Sequence, residues 1–234
     1  MRLTGFLAAV TLAGSSVNAI TLYLAGDSTM ANDGGQPYKG WGTAVGNYLS
    51  ISVVNNAVAG RSARSFTNEG RFSSMAAAVV SGDIVIIEFG HNDGGDPTTS
   101  ALAPCFGPGT ITTCQLTPIA RNGTTVYTFE KYIEDAVNSF KAQGPRVIVS
   151  SQTPDNPFIV GTAPSRFVGY AQTSASDTGV AYVDHFDFVL REFEALGNAT
   201  VSSFYPIDHL HTNTAGASIV AQAFVRGVLC AGSS

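Results

Sequence analysis

A serine and a distant aspartate–histidine pair are the residues of this chain whose types and spacing could perform covalent catalysis. Ser28 follows the apolar segment 20–25 after a Gly-Asp dipeptide, an arrangement in which a buried strand presents a hydroxyl at the rim of a sheet. Asp208 and His211 lie three residues apart, so in a turn the carboxylate can orient the imidazole. A serine hydroxyl alone is a weak nucleophile, and a histidine held by an acid supplies the general base that it needs. The sequence therefore predicts a triad of Ser28, His211 and Asp208.

Neighbouring residues offer competing assignments that the sequence disfavours. His209 adjoins Asp208 and would need a strained backbone to meet its carboxylate, so His211 is the preferred base. Asp27 directly precedes the serine, and an acid in that position more often anchors a turn by accepting backbone N–H groups. The other alternative is a metal site drawn from Asp27, His91, Asp93, Asp208, His209 and His211. It would leave Ser28 without a role and lacks the His-x-x-x-His spacing of helical sites, so we expect no metal or organic cofactor.

Acyl transfer also needs hydrogen-bond donors for an oxyanion, and the chain offers three. Gly60 has a backbone N–H unobstructed by a side chain, Asn92 has a side-chain amide, and Ser28 can offer its own N–H at the start of a helical turn. Each donor of this kind is worth about 3 kcal/mol of transition-state stabilisation. Because Gly60 and Asn92 each follow a predicted strand, we expect the oxyanion hole to form where several strands end.

Short apolar segments alternate with amphipathic ones and must position these residues. The strongest strand signal is 83–89, whose β-branched centre suits the middle of a parallel sheet. The clearest helix signal begins after Thr128 and stops at Gly144-Pro145. The alternation predicts one α/β domain over 20–234, with a parallel sheet covered on both faces by helices. Strands are predicted over 20–25, 51–54, 83–89, 146–150 and 180–183, and helices over 41–49, 74–80, 129–140, 165–178, 187–196 and 214–229.

The segment 94–128 shows no periodicity and is rich in proline, glycine and threonine. Loops of this length inside compact domains tend to be functional. Cys105 and Cys114 bracket part of it, and in an oxidising compartment a local disulfide is the economical pairing. Such a bond would stabilise the protein by about 2–3 kcal/mol. Cys230 is then left as a free thiol or as a partner for another chain.

The first 19 residues have the features of a secretory leader: Arg2 is basic, 6–13 are apolar, and 17–19 end in a small residue. No later stretch is long and apolar enough for a membrane anchor. The net charge of −5, with only 12 lysines and arginines, argues against a nucleic-acid partner and weakly against anionic membranes. We expect a secreted monomer without nucleic-acid or membrane partners. Asn122 and Asn198 begin N-x-Thr sequons and are predicted glycosylation sites on exposed loops.

Four blocks of the chain resemble, in order, those of the SGNH (GDSL-type) hydrolases. They are Gly26-Asp27-Ser28, Gly60, Gly90-His91-Asn92-Asp93 and Asp208-His209-Leu210-His211. Within that family, the segments 23–30, 57–65 and 88–95 are similar to the fungal rhamnogalacturonan acetylesterases. The resemblance implies a three-layer α/β/α domain with a five-stranded, flavodoxin-like sheet, and it implies the same triad and oxyanion donors. The lone Cys230 departs from that subgroup, in which a second disulfide near the C-terminus is usual.

The activity that the resemblance implies is removal of acetyl groups from galacturonate in the rhamnogalacturonan backbone of pectin, through an acetyl-enzyme. The partner is then an acetylated acidic polysaccharide, and we place Arg61, Arg64 and His91 among its binding residues, since a guanidinium suits a carboxylate. The alternative for the two arginines is that they tie down the loop after Gly60 through backbone carbonyls. Alternative functions are an acetylesterase for xylan or another pectin, a lipase or thioesterase with an apolar groove, and a non-catalytic carbohydrate-binding protein.

Overall fold

The computed structural model describes residues 19–32, 37–116 and 124–231. The strands are Thr21–Gly26 (β1), Ser52–Asn55 (β2), Ile84–Glu88 (β3), Thr113–Gln115 (β4), Thr125–Tyr127 (β5), Arg146–Ser150 (β6) and Ala181–Val183 (β7). Five of them form a central sheet in the order β2-β1-β3-β6-β7, in which all paired strands are parallel. A separate antiparallel pair, β4 and β5, lies within the predicted loop 94–128.

Helices cover both faces of the sheet. They are Ala63–Asn68 (α1), Arg71–Ala76 (α2), Phe129–Lys141 (α3), Pro157–Val160 (α4), Arg166–Thr178 (α5), His185–Leu196 (α6), Asn198–Ser202 (α7) and Thr214–Ala231 (α8). Two 3₁₀ turns, Trp41–Thr43 and Val45–Tyr48, precede β2. The predicted α/β class with a five-stranded parallel sheet is confirmed. None of the helices in the described ranges is long and apolar enough to cross a bilayer.

Alternation along the strands sorts their side chains into two cores. Val85 and Ile87 face one layer, where they pack with aromatic residues of α1, α2, α3 and α5. Leu24 and Ile86 face the other, where they pack with the 3₁₀ turns, α6 and α8. Because successive strand residues point to opposite faces, one continuous β-branched run can supply both cores. This explains why residues 84–87 of β3 are all apolar and why this strand lies at the middle of the sheet.

Most predicted elements are present, and the differences have local causes. Thr128 caps α3 by accepting from the Lys131 N–H, as expected. The predicted helix 41–49 is instead two 3₁₀ turns, and its two glycines disfavour a continuous α-helix. The predicted helix 74–80 is instead α2, which begins at Arg71 after Gly70 and ends at Ala76. The helix α1, which starts at a Ser62–Ser65 capping box, was not predicted. The hairpin β4–β5 and the short helices α4 and α7 were not predicted.

The order of the strands locates the site. The chain passes from β1 to β2 on one side and then crosses to β3 on the other side of β1, so the order reverses between β1 and β3. Ligands of such sheets bind beyond the carboxyl ends of the strands at this point. Gly26 pairs with Glu88, and Glu88 pairs with Ser150, so β1, β3 and β6 end side by side. The residues that follow these three strands therefore share one rim.

The cysteines and sequons are placed as follows. Cys105 and Cys114 form the predicted disulfide, with their Cα atoms 5.4 Å apart. Cys230 is an exposed free thiol. Asn198 is exposed at the start of α7, a short helix and not a loop. The Asn122 sequon and most of the predicted leader lie outside the described residues.

Candidate active site

Three side chains predicted to act together meet at the carboxyl end of β1. The Ser28 hydroxyl is 2.9 Å from His211 Nε2, although 183 residues separate them in the sequence. His211 Nδ1 is 2.8 Å from Asp208 Oδ2 on the far side of the ring. With Nδ1–H donated to the carboxylate, Nε2 keeps a lone pair directed at the serine. His209, the competing base, is half exposed and lies 3.9 Å from Asp155, outside this chain of contacts.

The loop 208–211 is shaped by its own aspartate. Asp208 Oδ1 accepts the N–H of Leu210 at 2.9 Å and the N–H of His211 at 2.7 Å, a local turn that leaves Oδ2 for the imidazole. Partial burial pushes the pKa of Asp208 upward. The hydrogen bonds from the His211 ring and from the two N–H groups outweigh that effect, so the pKa lies below the ordinary 3.8. Asp208 is therefore a carboxylate whenever the histidine must be oriented.

Two contacts hold this loop against the segment that follows β1. The Lys39 N–H donates to the Thr212 carbonyl at 2.8 Å, and the Thr212 hydroxyl donates to the Lys39 carbonyl at 3.0 Å. The Tyr38 ring lies 5.0 Å from the His211 ring, centre to centre. A histidine near the C-terminus is thus fixed beside a serine near the N-terminus by backbone bonds and not by the triad alone.

Asp27 sets the turn that presents Ser28. Its Oδ1 accepts the Thr29 N–H at 2.9 Å and the Thr29 hydroxyl at 2.8 Å, while its carbonyl accepts the N–H of Ala31 at 3.0 Å. The side chain is buried and does not reach the triad hydrogen bonds. Burial raises the pKa of Asp27, an effect that His91 and the Thr29 bonds partly oppose. The geometry agrees with the interpretation of Asp27 as a turn anchor.

The predicted oxyanion donors follow neighbouring strands. Gly60 has a φ of +74°, a left-handed conformation that favours glycine, and a side chain there would meet open space. Within the described residues, neither its N–H nor that of Ser28 has a hydrogen-bond acceptor. The Asn92 amide donates to the Arg61 carbonyl at 3.2 Å, which fixes its position next to the same loop. Two uncommitted N–H groups and an oriented amide are what an oxyanion requires.

The two arginines after Gly60 differ, and one prediction is wrong. Arg64 is 2% exposed and donates to the carbonyls of Ala103 at 2.6 Å and Ser100 at 3.1 Å, so it ties α1 to the following excursion and cannot reach substrate. Arg61 is about one third exposed, with its guanidinium on Glu69 at 3.1 Å and on the Ala59 carbonyl. The alternative prediction, that the arginines bind backbone carbonyls, thus describes contacts that are present at both Arg61 and Arg64. Of the two arginines, only Arg61 remains a predicted substrate contact, together with His91.

His91 lines a cavity between the residues that follow β3 and those that follow β6, with its side chain almost fully buried. Its Nε2 is 3.3 Å from the Thr153 hydroxyl, and its Nδ1 is 3.3 Å from the Gln152 amide and 3.5 Å from Asp155 Oδ1. Sequence reasoning missed these three residues after β6. Their position at the carboxyl end of a predicted strand was the signal that could have identified them. Gly90 permits the arrangement, because a side chain there would lie 2.1 Å from Gln152 Oε1.

A second histidine–carboxylate pair lies beneath the site and was not predicted. His185 Nδ1 is 2.8 Å from Glu88 Oε2, and both side chains are buried. His185 Nε2 donates to the Val220 carbonyl at 2.9 Å. The remaining carboxylate contacts come from Trp41 Nε1 at 2.8 Å and the Ser150 hydroxyl at 2.6 Å. The network joins β3, β6, α6, α8 and the first 3₁₀ turn below the rim that carries the triad.

Comparison with known proteins agrees with this geometry. Residues 24–219 match the model of the GDSL-like lipase/acylhydrolase family. The chain is 48% identical over 223 residues to a rhamnogalacturonan acetylesterase of Emericella nidulans, covering 93% of this chain and 88% of that protein. It is 24% identical to YesY of Bacillus subtilis, described as a probable rhamnogalacturonan acetylesterase, over 88% of this chain and 91% of that protein.

Two solved structures share the fold. One is the Bacillus subtilis protein YxiM, with a TM-score of 0.71 at 22% identity, which covers 92% of this chain; the chain spans 58% of that protein. The other is the acetylxylan esterase Axe2 of Geobacillus stearothermophilus, with a TM-score of 0.60 at 18% identity, over 89% of this chain and 94% of that one. The predicted family is confirmed: this chain is an ester hydrolase and belongs to the GDSL-like lipase/acylhydrolase family.

Proposed function

We propose that this protein removes acetyl groups from acetylated rhamnogalacturonan, with Ser28 as the nucleophile. The observation that carries the proposal is the line of contacts from Ser28 through His211 to Asp208, at 2.9 and 2.8 Å, in a chain 48% identical to a rhamnogalacturonan acetylesterase. Neither part suffices alone. The contacts define the chemistry, and the relative indicates the substrate.

The positions of the side chains support the following reaction. Ser28 Oγ attacks the acetyl carbonyl carbon while His211 Nε2 takes the hydroxyl proton, and the carbonyl oxygen becomes an oxyanion facing the N–H groups of Ser28 and Gly60 and the Asn92 amide. As the tetrahedral intermediate collapses, the imidazolium returns the proton to the sugar oxygen. The bond between that oxygen and the acetyl carbon breaks, which leaves a free sugar hydroxyl and an acetylated serine.

Water completes the cycle. His211 Nε2 removes a proton from a water molecule as its oxygen attacks the acetyl carbon of the acetyl-enzyme. The second tetrahedral intermediate collapses with return of the proton to Ser28 Oγ, and acetate leaves. Throughout, Asp208 stabilises the imidazolium without taking its proton.

Across the described chain, no three histidine, cysteine, aspartate or glutamate side chains converge as metal ligands would. Retention of activity in a strong chelator is the test of the predicted independence from metal.

The direct test is Ser28→Ala, assayed by acetate release from acetylated rhamnogalacturonan. We expect kcat to fall by about 10⁶-fold, since removal of a serine nucleophile costs this much in a comparable hydrolase. The matched control is Ser73→Ala, an exposed serine on α2, which should retain full activity. Mass spectrometry after a fluorophosphonate should show one adduct, at Ser28. Substantial activity of the Ser28 variant in a pure preparation, or labelling of another serine, contradicts the mechanism.

Substrate preference is tested separately from chemistry. Acetate release from acetylated rhamnogalacturonan, xylan and chitin oligosaccharides, together with acetyl and octanoyl esters of one alcohol, distinguishes the proposed activity from the predicted alternatives. We expect rhamnogalacturonan to be the best substrate and the octanoyl ester to be poor. If xylan were the best substrate, the proposed catalytic mechanism would stand and the proposed substrate would be wrong.

Secretion belongs to the same proposal. The Cys105–Cys114 disulfide supports it, because such bonds are rare in reducing compartments. We propose that residues 1–19 are removed as a leader and that the secreted protein is a monomer with no nucleic-acid or membrane partner. N-terminal sequencing of protein from the culture medium, with light scattering of the same sample, tests both statements. An N-terminus at Met1 would contradict cleavage.

A further inference from the structure

A cavity of about 280 Å³ opens between the residues that follow β3 and those that follow β6, and its Asp155 lies 3.9 Å from His209 in the loop that carries Asp208 and His211. Small-molecule sites typically measure about 300–1,000 Å³, so this volume suits one sugar ring and not several. We call it the β3–β6 pocket. The residues that line it include Gly90, His91, Gln152, Asp155, Val160 and Phe167. Its chemistry indicates what it can hold.

The β3–β6 pocket adjoins the catalytic centre through two connections. His91 in its wall directly precedes Asn92, the predicted oxyanion donor. The Asn156 N–H donates to the His209 carbonyl at 2.8 Å, which joins the segment after β6 to the triad loop. Tyr205 is buried near both Asp155 and Asp208. Burial is the main cause that raises the pKa of its hydroxyl, and the charges of Asp155 and Asp208 add smaller contributions. The β3–β6 pocket therefore adjoins both the segment that carries Asn92 and the loop that carries Asp208 and His211.

Asp155 is the principal polar group of the pocket. Its Oδ1 is 3.5 Å from His91 Nδ1 and its Oδ2 is 3.9 Å from His209 Nε2, both too long for strong hydrogen bonds. Within the described ranges, no residue donates a hydrogen bond to this carboxylate, although its side chain is only 28% exposed. A partly buried carboxylate without donors is an acceptor for the hydroxyl groups of a ligand. The same charge repels a uronate carboxylate.

The other wall is apolar. Val160, at the end of α4, is half exposed at the rim, and Ala163 lies beside it. Phe167 and Phe186 close the inner end and are almost fully buried. A sugar with a C–H face or a methyl group would bury apolar surface here, which favours binding. The pocket thus combines an acceptor for hydroxyls on one side with an apolar surface on the other.

We propose that the β3–β6 pocket binds the neutral deoxy sugar joined to the acetylated uronate, with Asp155 accepting its hydroxyls and the Val160 wall contacting its methyl group. This inference rests on the proposed function and deepens it. Rhamnogalacturonan alternates an acidic sugar with rhamnose, a neutral sugar whose methyl group replaces the usual hydroxymethyl. When an acetylated galacturonate lies at Ser28, the adjacent residue is the sugar that the pocket accepts. Homogalacturonan would place a second carboxylate against Asp155.

The test compares kcat/KM for three substrates: acetylated rhamnogalacturonan oligosaccharides, acetylated homogalacturonan oligosaccharides and an aryl acetate. The wild type should prefer the first over the second. A hydrogen bond to a charged group contributes about 1.5–3 kcal/mol, so Asp155→Ala should reduce that preference by about 10- to 100-fold. Its loss on rhamnogalacturonan should exceed its losses on the other two substrates by that factor. Asp135→Asn, at an exposed acid on α3, is the matched control and should leave all three values unchanged.

A second variant keeps the test independent of Asp155. Val160→Trp adds bulk at the exposed rim of the pocket and should raise KM for rhamnogalacturonan more than for the aryl acetate. Equal losses on all three substrates, or an unchanged preference in both variants, would overturn the assignment while the proposed function stands. A wild type that hydrolyses the aryl acetate but releases no acetate from rhamnogalacturonan would overturn both. Thermal unfolding of each variant identifies any loss that comes from misfolding.

Discussion

Two histidine–carboxylate pairs with the same geometry lie in this protein and face different partners. In each, a histidine Nδ1 is 2.8 Å from a carboxylate oxygen: His211 with Asp208 at the rim of the sheet, and His185 with Glu88 beneath it. The first pair is about one third exposed and the second is buried. Their Nε2 atoms differ most, since one faces the Ser28 hydroxyl at 2.9 Å and the other donates to the Val220 carbonyl at 2.9 Å.

The second nitrogen therefore determines what each pair can do. A carbonyl oxygen only accepts hydrogen bonds, so His185 Nε2 must carry a proton and cannot remove one from another group. His211 Nε2 faces a hydroxyl that can donate, and Asp208 holds the tautomer in which that nitrogen is basic. A histidine beside an acid is thus insufficient evidence of catalysis. The partner of the other ring nitrogen separates a general base from a structural connection.

The largest expected effect comes from removing the exposed histidine. His211→Ala should lower kcat by about 10⁶-fold, because the general base and its proton transfers are lost together. Unfolding in urea should show little change, since the ring is only partly buried and its partners remain solvated. Steady-state acetate release and the unfolding midpoint are measured on one preparation. Appreciable activity of the His211→Ala variant would mean that another base serves Ser28. The control is His209→Ala, which should remain active.

Asp208→Asn tests the role of the acid in the exposed pair. The amide can keep the N–H bonds of Leu210 and His211 but cannot hold the required tautomer, so kcat should fall by about 10⁴-fold with the fold intact. The pH profile of kcat, with circular dichroism, distinguishes this outcome from misfolding. A loss of less than tenfold would indicate that the serine does not depend on this orientation.

Breaking the buried pair should have the opposite result, a loss of stability with little loss of kcat. Glu88→Leu leaves His185, Trp41 Nε1 and the Ser150 hydroxyl without their shared acceptor, and His185→Phe removes one partner of the buried carboxylate. Each change should cost about 3–5 kcal/mol of unfolding free energy. Because Glu88 and His185 contact neither Ser28 nor His211, the folded fraction should keep most of its kcat. The double variant should lose less than the sum of the two, and Arg191→Ala, at an exposed ion pair, should change stability little. Additive losses would contradict the coupling.

The smallest effect concerns two carboxyls, in which the balance between burial and hydrogen bonding determines the sign of the pH dependence. Burial, with a contribution from Asp27, raises the pKa of Asp93 well above 3.8, whereas the pKa of Asp208 is lowered. Because the pKa of Asp93 is raised in the folded state, the protonated Asp93 carboxyl contributes its full stabilisation below pH 3.8. That stabilisation is lost as the pH rises through the pKa of the folded state. The contribution of Asp208 is present above 3.8 and is lost as pH falls through its lower folded value.

Asp93→Asn should therefore flatten the decline of stability as pH rises above the ordinary aspartate pKa. The amide oxygen can keep the 2.9 Å bond from the Ala63 N–H. Urea unfolding at a series of pH values measures the slope. The control is Asp96→Asn, because that acid is exposed and its pKa is lowered by the Thr98 hydrogen bonds. An unchanged slope in the Asp93 variant would show that its carboxyl is not protonated in the folded state at those pH values.

Much of the site was predictable because its chemistry is local or lies at strand ends. Asp208 and His211 are three residues apart, and the intervening backbone closes on the carboxylate without help from distant residues. The β-branched run of β3 identified the centre of the sheet, and the glycines and polar residues after β1, β2 and β3 identified its functional rim. Strand periodicity and short-range turns are properties that a sequence determines directly.

Tertiary structure alone decided the rest. Arg64 reads as a surface cation, and only the packing of α1 against carbonyls near residue 100 buries it. His185 and Glu88 are 97 residues apart, and Asp155 meets His91 only because β3 and β6 pair in register. Local sequence cannot specify such contacts, because each depends on which strands become neighbours. The sequence by itself predicted the nucleophile, its base and the acid; the fold decided which histidine is structural, which arginine is buried and which pocket forms where β3 and β6 end.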